Sequence, residues 1–209
     1  MTTRNAPQLR VYGDLISGNC YKIALLLNHL NVAHEWVHVD VLQGSTRTPE
    51  FLARNPNGRI PVLELPDGRY LAESNAILHF LAEGTALLPN DPWLHALVLQ
   101  WQFFEQYSHE PYIATARFIA KYLRMPDARR AEFEAKQAGG HAALGVMENH
   151  LAHHDYFVGN VFTIADISLY GYTHVAHEGG FSLAGYPAIQ RWLARVAALP
   201  RHIAMPPSA

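Results

Sequence analysis

The secondary-structure pattern of this chain changes once, near residues 85–92, and that change constrains the fold more than any other feature. Before it, short apolar stretches that suit strands alternate with amphipathic helical segments, whereas after it nearly every segment has a helical period. The stretch between contains two prolines and an Asn-Asp pair, which is typical of a linker. The sequence therefore predicts an α/β domain over residues 1–84, a linker over 85–92 and an all-α helical bundle over 93–209.

The first domain is predicted to follow the order β-α-β-α-β-β-α. Strands are expected at residues 9–12, 35–41, 60–65 and 69–71, and helices at 19–30, 48–54 and 73–83. A Pro-Asp-Gly turn joins the last two strands, so they must be antiparallel, whereas the first two are joined through a helix and are expected to be parallel. A small mixed sheet with helices on both faces follows from this order.

The second domain is predicted to contain four main helices, at residues 92–123, 126–153, 164–177 and 187–198. Thr163 comes directly before the third of these helices, and Asp166 follows three residues later. This is the spacing of a capping box, so we expect Asp166 to have a structural role.

Composition limits the classes of function that the chain can have. The formal net charge is -2, so no basic excess predicts binding to nucleic acid or to an anionic membrane surface. No apolar run approaches the length of a membrane span, and the first residues lack the apolar core of a secretory signal, which favours a cytoplasmic location. Cys20 is the only cysteine, so no intrachain disulfide is expected. Among the 13 histidines, those at 150, 153 and 154 and those at 174 and 177 are at helical spacing, but no HExxH motif occurs and no acidic residue completes either group, so no metal site is expected.

The loop at residues 13–18 connects the first predicted strand to the first helix, and Ser17 comes just before that helix. Helix capping is the simplest interpretation of Ser17, although α/β proteins also bind anions at this place. A thiolate held there would meet the Ser17 hydroxyl, the Asn19 amide and the positive helix end. Lowering the pKa of a thiol by about two requires roughly 2.7 kcal/mol. One hydrogen bond to the charged form supplies about 1.5–3 kcal/mol of that, and a helix terminus about 0.3–1 kcal/mol.

Four short motifs occur in an order that resembles the cytosolic-type glutathione S-transferase superfamily. The loop at 14–17 is similar to that of bacterial, serine-type, theta-like members, and residues 17–22 resemble a nu-class stretch. The others are Asn-Pro-Asn-Gly-Arg-Ile-Pro-Val-Leu at 55–63, Leu-Ala-Glu-Ser-Asn-Ala-Ile at 71–77 and the capping box. The resemblance covers nearly the whole chain. It implies a thioredoxin-like N-terminal domain, glutathione as co-substrate and an all-helical domain that lines the electrophile site.

The resemblance also implies roles for the residues near the thiol. The hydroxyl of Ser17 would donate to the sulfur of glutathione, and Asn19 would approach the same atom. Cys20 is the rival of Ser17, because beta- and omega-like relatives use a cysteine near this point to form a mixed disulfide with glutathione.

The rest of glutathione would be bound by the second and third motifs. The resemblance implies a cis bond between Ile60 and Pro61, with the backbone of Ile60 paired to the cysteinyl part of glutathione. Glu73 and Ser74 would hold the γ-glutamyl group, although plain capping of the following helix is the alternative for both.

The chain departs from theta-like relatives after the second predicted strand, where these often have a histidine that contacts the glycyl carboxylate. Here the run is Gly-Ser-Thr-Arg at 44–47, so Arg59 or Arg47 is the expected replacement.

The first long helix supplies the candidates for the electrophile site, which is expected in a cleft between the domains. They are Phe104, Tyr107, Ser108, Tyr112 and Arg117, although an ordinary core role is the commoner use of such aromatic residues.

The function implied by the resemblance is a homodimeric glutathione transferase that acts on small hydrophobic electrophiles. A glutathione-dependent disulfide or peroxide reductase, an isomerase of the maleylacetoacetate type and a non-catalytic binding module are the alternatives.

Overall fold

The computed structural model of the chain describes residues 8–207 and divides it into two compact units. One unit holds the residues up to Glu83 together with those from Pro200 onward, and the other holds Gly84–Leu199. The first boundary lies next to the expected one at residue 84. The segment from Pro200 onward, expected in the helical domain, belongs instead to the first unit.

The first unit contains a four-stranded mixed sheet and three α-helices. Its elements are β1 (Leu9–Gly13), α1 (Gly18–Leu30), β2 (His34–His38), α2 (Pro49–Arg54), β3 (Val62–Glu64), β4 (Tyr70–Ala72) and α3 (Ser74–Ala82). The strands are arranged in the order β2-β1-β3-β4, with β1 and β2 parallel and the two other pairs antiparallel. The expected strand directions are therefore confirmed.

Two strands are shorter than the sequence predicts, for local reasons. β2 ends at His38 because Asp40 Oδ1 accepts hydrogen bonds from the backbone N–H groups of Leu42 (2.9 Å) and Gln43 (3.1 Å), which turn the chain. β3 begins at Val62 rather than at residue 60, since the preceding proline has no N–H group for the ladder.

The second unit is helical throughout its main elements. They are α4 (Pro92–Phe104), α5 (Glu110–Arg117), α6 (Arg130–Leu151), α7 (Ile164–Thr173) and α8 (Pro187–Ala197). The all-α class expected for this region is confirmed, and the capping box is present at the start of α7.

The long helix predicted at residues 92–123 is interrupted by two π-helical turns, at Glu105–His109 and Phe118–Tyr122. In the first, the N–H of Glu110 bonds to the carbonyl of Glu105, five residues earlier. Pro111 explains this widening, because its ring cannot fit against the carbonyl of an ordinary preceding turn and it has no N–H to donate.

Candidate functional site

The sheet register brings the loop after β1, the chain before β3 and the chain after β4 to one edge of the sheet. Tyr12 pairs with Val62, and Val62 pairs with Ala72. Because these pairs are antiparallel, β1 and β4 both end where β3 begins. The motifs that the sequence analysis singled out at 14–17, 60–61 and 73–74 therefore share this edge.

Ser17 is the N-cap residue of α1 and has an extended backbone, with φ −74° and ψ 127°. Its side chain makes no capping hydrogen bond to the helix. The loop is shaped instead by Asp14, whose carbonyl accepts from the N–H of Ser17 (2.9 Å) and whose Oδ1 accepts from the N–H of Ile16 (3.1 Å). Capping, the simplest interpretation of the sequence, is thus not what the Ser17 hydroxyl does.

Asn19 lies in the first turn of α1 and its side-chain carbonyl accepts two hydrogen bonds. One comes from Lys22 Nζ (2.7 Å) and the other from Ser74 Oγ (3.2 Å), at the start of α3. Both Lys22 and Ser74 are buried. The amide is therefore oriented with Oδ1 towards these donors and Nδ2 on the opposite side.

Cys20 is completely buried, one residue further along α1. Burial raises the pKa of its thiol to about 12, and it outweighs hydrogen bonds from the Asp14 backbone and the Ser17 side chain, which lower the pKa. A β-carbon added at Gly13 would lie 2.6 Å from the sulfur, so the backbone of β1 closes over this side. The thiol is enclosed by protein and strongly held in its neutral form.

The peptide bond between Ile60 and Pro61 is cis, as the resemblance implied. Asn55 supports the loop before it, because its Nδ2 donates to the carbonyl of Arg59 (2.8 Å) and its Oδ1 accepts from the N–H of Asn57 (3.1 Å). The side chain of Ile60 packs on a buried cluster formed by Tyr12, Val39, Phe51 and Val62. Ile60 lies two residues before β3, outside the ladder.

The two candidate arginines for the glycyl carboxylate are both exposed, near this loop. Arg47 Nη1 donates to the carbonyl of Asn57 (3.3 Å). Gly58, at φ +62°, lies so close to Arg47 that an added β-carbon would be 2.4 Å from its Nη1. Arg47 thus supports the loop, whereas Arg59 belongs to it.

Glu73 is the N-cap residue of α3 and has a positive φ of 68°, with ψ 114°. Residues other than glycine rarely adopt this backbone conformation, and it costs of order 1–3 kcal/mol. The exposed carboxylate makes no capping hydrogen bond. The backbone is therefore held in a strained conformation that leaves the charge at the surface.

The five candidates for the electrophile site follow one another along α4, the first π turn and α5. Phe104 packs edge-on against Trp101, with ring centroids 5.3 Å apart, while Tyr107 is exposed and Ser108 half-buried. The ring of Tyr112 covers Gly139 of α6.

Arg117 differs from the other four candidates because it is buried and ion-paired. Its Nε lies 2.7 Å from Glu178 Oε2, and Lys121 Nζ lies 2.8 Å from the other oxygen of the same carboxylate. The two cations lower the pKa of Glu178 although burial opposes them. This guanidinium is committed to an internal ion pair.

Over residues 8–207, no helix is long and apolar enough to cross a membrane. The same residues contain no group of three or more histidine, cysteine, aspartate or glutamate side chains placed to hold a metal ion.

Lys22 is the residue of this site that the sequence analysis did not single out. A lysine in the first turns of a helix normally reaches solvent, yet this one is fully buried. Its spacing of three residues from Asn19 was the available signal, because side chains at i and i+3 lie on the same helix face.

The chain is similar to known proteins over most of its length. Residues 16–83 match the family model for the N-terminal domain of glutathione S-transferase, and residues 101–200 match the model for its C-terminal domain. Glutathione S-transferase 3 of Zea mays is 33% identical over 92% of this chain and 90% of its own length.

Solved structures give the same result. A glutathione S-transferase from Pseudomonas fluorescens superposes with a TM-score of 0.93 and 58% identity, over 95% of this chain and 98% of its own. A glutathione transferase from Pseudomonas putida, described with one glutathione disulfide bound per subunit, has a TM-score of 0.83 and 25% identity over 95% of this chain and 90% of its own.

Proposed function

The chain belongs to the glutathione S-transferase family, and we propose that it activates the thiol of glutathione with Ser17, assisted by Asn19, for attack on small hydrophobic electrophiles. The observation that carries this proposal is the Ser17 hydroxyl, which lies at the start of α1 without capping it. There a thiolate would receive a hydrogen bond from the hydroxyl and stabilisation from the helix N-terminus.

Cys20 supports the choice of Ser17 by being unsuited to the same task. Its thiol is fully buried and its pKa is raised to about 12, whereas cysteines that form mixed disulfides are accessible and have a lowered pKa. Cys20 is proposed as a packing residue beneath the loop.

The remaining groups of glutathione have matching partners at the same sheet edge. Ile60, next to the cis bond and outside the β3 ladder, offers backbone groups for the cysteinyl part. The exposed carboxylate of Glu73 suits the ammonium of the γ-glutamyl group, and the start of α3 at Ser74 suits its carboxylate. Arg59 is proposed for the glycyl carboxylate, since Arg47 already supports the loop.

For the electrophile we propose an apolar site that includes Phe104, Tyr107, Ser108 and Tyr112. Three aromatic rings, together with the hydroxyl groups of Tyr107, Ser108 and Tyr112, suit a small hydrophobic molecule with a polar leaving group. Arg117 is the weakest member of the original set, because its charge is used in the ion pair with Glu178.

The test is turnover of a chromogenic aryl halide with glutathione. Ser17→Ala is expected to lower kcat by about 10–100-fold, from the loss of about 1.5–3 kcal/mol of stabilisation of the thiolate. Cys20→Ala and the exposed Ser182→Ala serve as controls and are expected to stay within about twofold of the wild type. Loss of activity in Cys20→Ser together with an unchanged Ser17→Ala enzyme would reverse the assignment.

A glutathione-dependent disulfide reductase is the second candidate. The observation that favours it is the glutathione disulfide described in the related structure from Pseudomonas putida. A coupled assay with a mixed disulfide of glutathione decides between the two functions. Turnover that exceeds aryl-halide conjugation and survives in Cys20→Ala would support reduction through bound glutathione, and no turnover would exclude this candidate.

We also propose that the protein forms a homodimer. Large apolar side chains are exposed along α4, with Trp93 71% and Phe103 61% accessible. A second copy of the chain would cover this surface, because an exposed aromatic group of this size commonly marks an interface. Analytical ultracentrifugation is expected to give twice the chain mass, and Phe103→Asp is expected to give monomers.

A cytoplasmic location is proposed on chemical grounds. The proposed reaction consumes the thiol form of glutathione, and the cytosol keeps thiols reduced. Fractionation of cells expressing a tagged full-length chain would test this location.

A further inference from the structure

A buried lysine lies behind the residue proposed to assist Ser17. Lys22 has no exposed surface, although lysine is almost never fully buried without a partner for its charge. Its ammonium donates to Asn19 Oδ1 at 2.7 Å, one helical turn away on the same face of α1. The charge therefore acts on the side chain of Asn19, which lies nearer the helix start.

Ser74 makes the same contact from another element. Its buried hydroxyl donates to the same oxygen of Asn19 at 3.2 Å, from the first residue of α3. Turning the amide over would place its NH₂ group against an ammonium and a hydroxyl donor at once, so the orientation is chemically fixed. The amide nitrogen is then directed away from both donors.

We propose that Lys22 is a positioning residue for the reaction: its buried ammonium, together with Ser74, orients and polarises the Asn19 amide so that Nδ2 donates to the sulfur of glutathione. This inference rests on the proposed function, because it gives a role to the amide beside Ser17. The ammonium does not touch glutathione and acts through Asn19. A donor polarised by a cation on its carbonyl side makes a stronger hydrogen bond to an anion.

The arrangement predicts a specific defect when the charge is removed. In Lys22→Met the apolar stem is kept and the ammonium is lost, so the Asn19 amide keeps its hydrogen bond from Ser74 but loses the shorter one and the charge that polarises it. The apparent pKa of enzyme-bound glutathione should rise by about one, which means about tenfold less thiolate below that pKa. The KM for glutathione should change much less, since its carboxylates and ammonium are bound elsewhere.

The experiment is a pH titration of the ultraviolet absorbance of the thiolate in the enzyme–glutathione complex. Lys22→Met and Asn19→Ala are each expected to raise the thiol pKa by a similar amount, and the double variant is expected to add little to either. Lys121→Met, which removes a lysine charge in the helical unit, is the matched control and should leave the thiol pKa unchanged. Lys22→Arg, which keeps the charge, should restore most of the wild-type value.

Stability is separated from positioning by thermal unfolding of every variant. If Lys22→Met lowers the melting temperature but leaves the thiol pKa at its wild-type value, the positioning role is wrong. The role is also wrong if Lys22→Met, added to Asn19→Ala, raises the thiol pKa as much as it does in the wild type. The Lys22 charge would then act on the thiol without the Asn19 amide. If Lys22→Met does not fold, Asn19→Asp tests the same geometry. The Asp carboxylate keeps a partner for Lys22 but puts a negative charge where the Nδ2 donor of Asn19 was. The proposal therefore requires the thiol pKa in Asn19→Asp to be higher than in Asn19→Ala.

The proposed function can fail separately. If Ser17→Ala leaves the thiol pKa unchanged while Asn19→Ala and Lys22→Met raise it, Ser17 is not the activating group and the inference still holds. If Ser17→Ala raises the pKa and Lys22→Met does not, the proposed function stands and the inference fails.

Discussion

Burial decides the chemistry of the thiol at Cys20. With a pKa raised to about 12, roughly one thiol in 10⁴ is ionised near pH 8. We expect a thiol-specific reagent to label no cysteine in the folded protein and one per chain in denaturant, because Cys20 is the only cysteine. Cys20→Ala should keep aryl-halide activity. Rapid labelling of the native protein, at a rate near that of free glutathione, would contradict the enclosed environment described for this residue.

The strained backbone of Glu73 links stability to glutathione binding. Glu73→Gly relieves the positive φ and should raise the free energy of unfolding by about 1 kcal/mol, since the strain exceeds the entropic cost of glycine. Glu73→Ala keeps the strain and should stay within about 0.5 kcal/mol of the wild type. Both variants lose the carboxylate and should raise the KM for glutathione by about tenfold, or about 1.4 kcal/mol.

Urea unfolding and steady-state kinetics measure the two effects of these substitutions independently. A glycine variant no more stable than the alanine variant would show that the positive φ carries no strain. An unchanged KM in both would remove Glu73 from the binding site.

Some structural features of this site were predictable from the sequence, and the exceptions have physical reasons. The loop position of Ser17 follows from the local pattern, and the cis bond at Ile60 was implied by the family resemblance of its motif. The burial of Cys20 and Lys22 does not, because it depends on how β1 and α3 pack against α1. Sequence spacing places Lys22 on the face of Asn19, but only the tertiary structure removes its charge from water.

At the scale of the secondary-structure element, the capping box at the start of α7 contains a buried acid, Asp166, with a raised pKa. Asp166 Oδ2 accepts from the Thr163 N–H (3.0 Å), and its Oδ1 accepts from Trp192 Nε1 (3.0 Å) and from the N–H of Phe157 (3.2 Å). Burial raises the pKa of this carboxyl to about 6, although these hydrogen bonds lower it. The box therefore joins α7, α8 and the preceding loop through one buried acid.

Removal of the Asp166 carboxyl should destabilise the folded protein strongly. Asp166→Ala leaves four buried donors, including the Thr163 hydroxyl, without their acceptor and should lower the free energy of unfolding by at least about 3 kcal/mol in urea titration. Glu132→Ala, which removes a solvent-accessible ion pair with Arg129, is the control and should have a much smaller effect. Equal effects of the two substitutions would mean that the box does not stabilise the unit.

The same carboxyl gives a pH dependence of known sign. Its pKa in the folded chain is about 6, above the ordinary value near 3.8, so the native state binds the proton more tightly than the unfolded state. Its contribution to stability is complete below about pH 4 and is lost as the pH rises through 6, by an amount of order 2–3 kcal/mol. The difference in unfolding free energy between wild type and Asp166→Ala should therefore be larger at about pH 4 than at about pH 7. A difference that grows with pH would show that the pKa is lowered.

Helix content was predictable here, but helix regularity was not. The period of the apolar residues extends from α4 into α5, so the sequence predicts one helix. Pro111 signals that the helix cannot be regular, yet it does not specify the response, which is a π-helical turn rather than a break. The choice depends on tertiary packing, since residues of this turn such as Glu105 and His109 are fully buried.

At the scale of the whole molecule, the chain leaves the first unit at Glu83 and returns to it at Pro200. The hydroxyl of Tyr21, on α1, donates to the carbonyl of Ile203 (2.6 Å) and lies 3.3 Å from His202 Nε2. Asn28 Nδ2 donates to the carbonyl of Arg201. The C-terminal segment, residues 200–207, thus packs on α1, the helix that follows Ser17. Nothing in its own pattern predicted this, because a short segment without periodicity gives no information about its partner.

The attachment of the C-terminal segment should weaken on acidification. Burial lowers the pKa of both His29 and His202, and the neighbouring charges of His202 and Arg201 lower that of His29 further. A histidine with a lowered pKa binds its proton more tightly once the segment detaches. The stabilisation is therefore present above about pH 6.5 and is lost as the pH falls below it.

Hydrogen exchange of residues 200–207, corrected for the intrinsic rate, should accordingly be faster at about pH 5 than at about pH 7. His29→Gln combined with His202→Gln should remove most of this pH dependence, because no group with a lowered pKa then remains in the contact. Asn28→Ala is the control: it removes the hydrogen bond to the carbonyl of Arg201, a contact that involves neither histidine, and should raise exchange by a similar factor at both pH values. If the wild-type segment is equally protected at both pH values, the two histidines do not control its attachment.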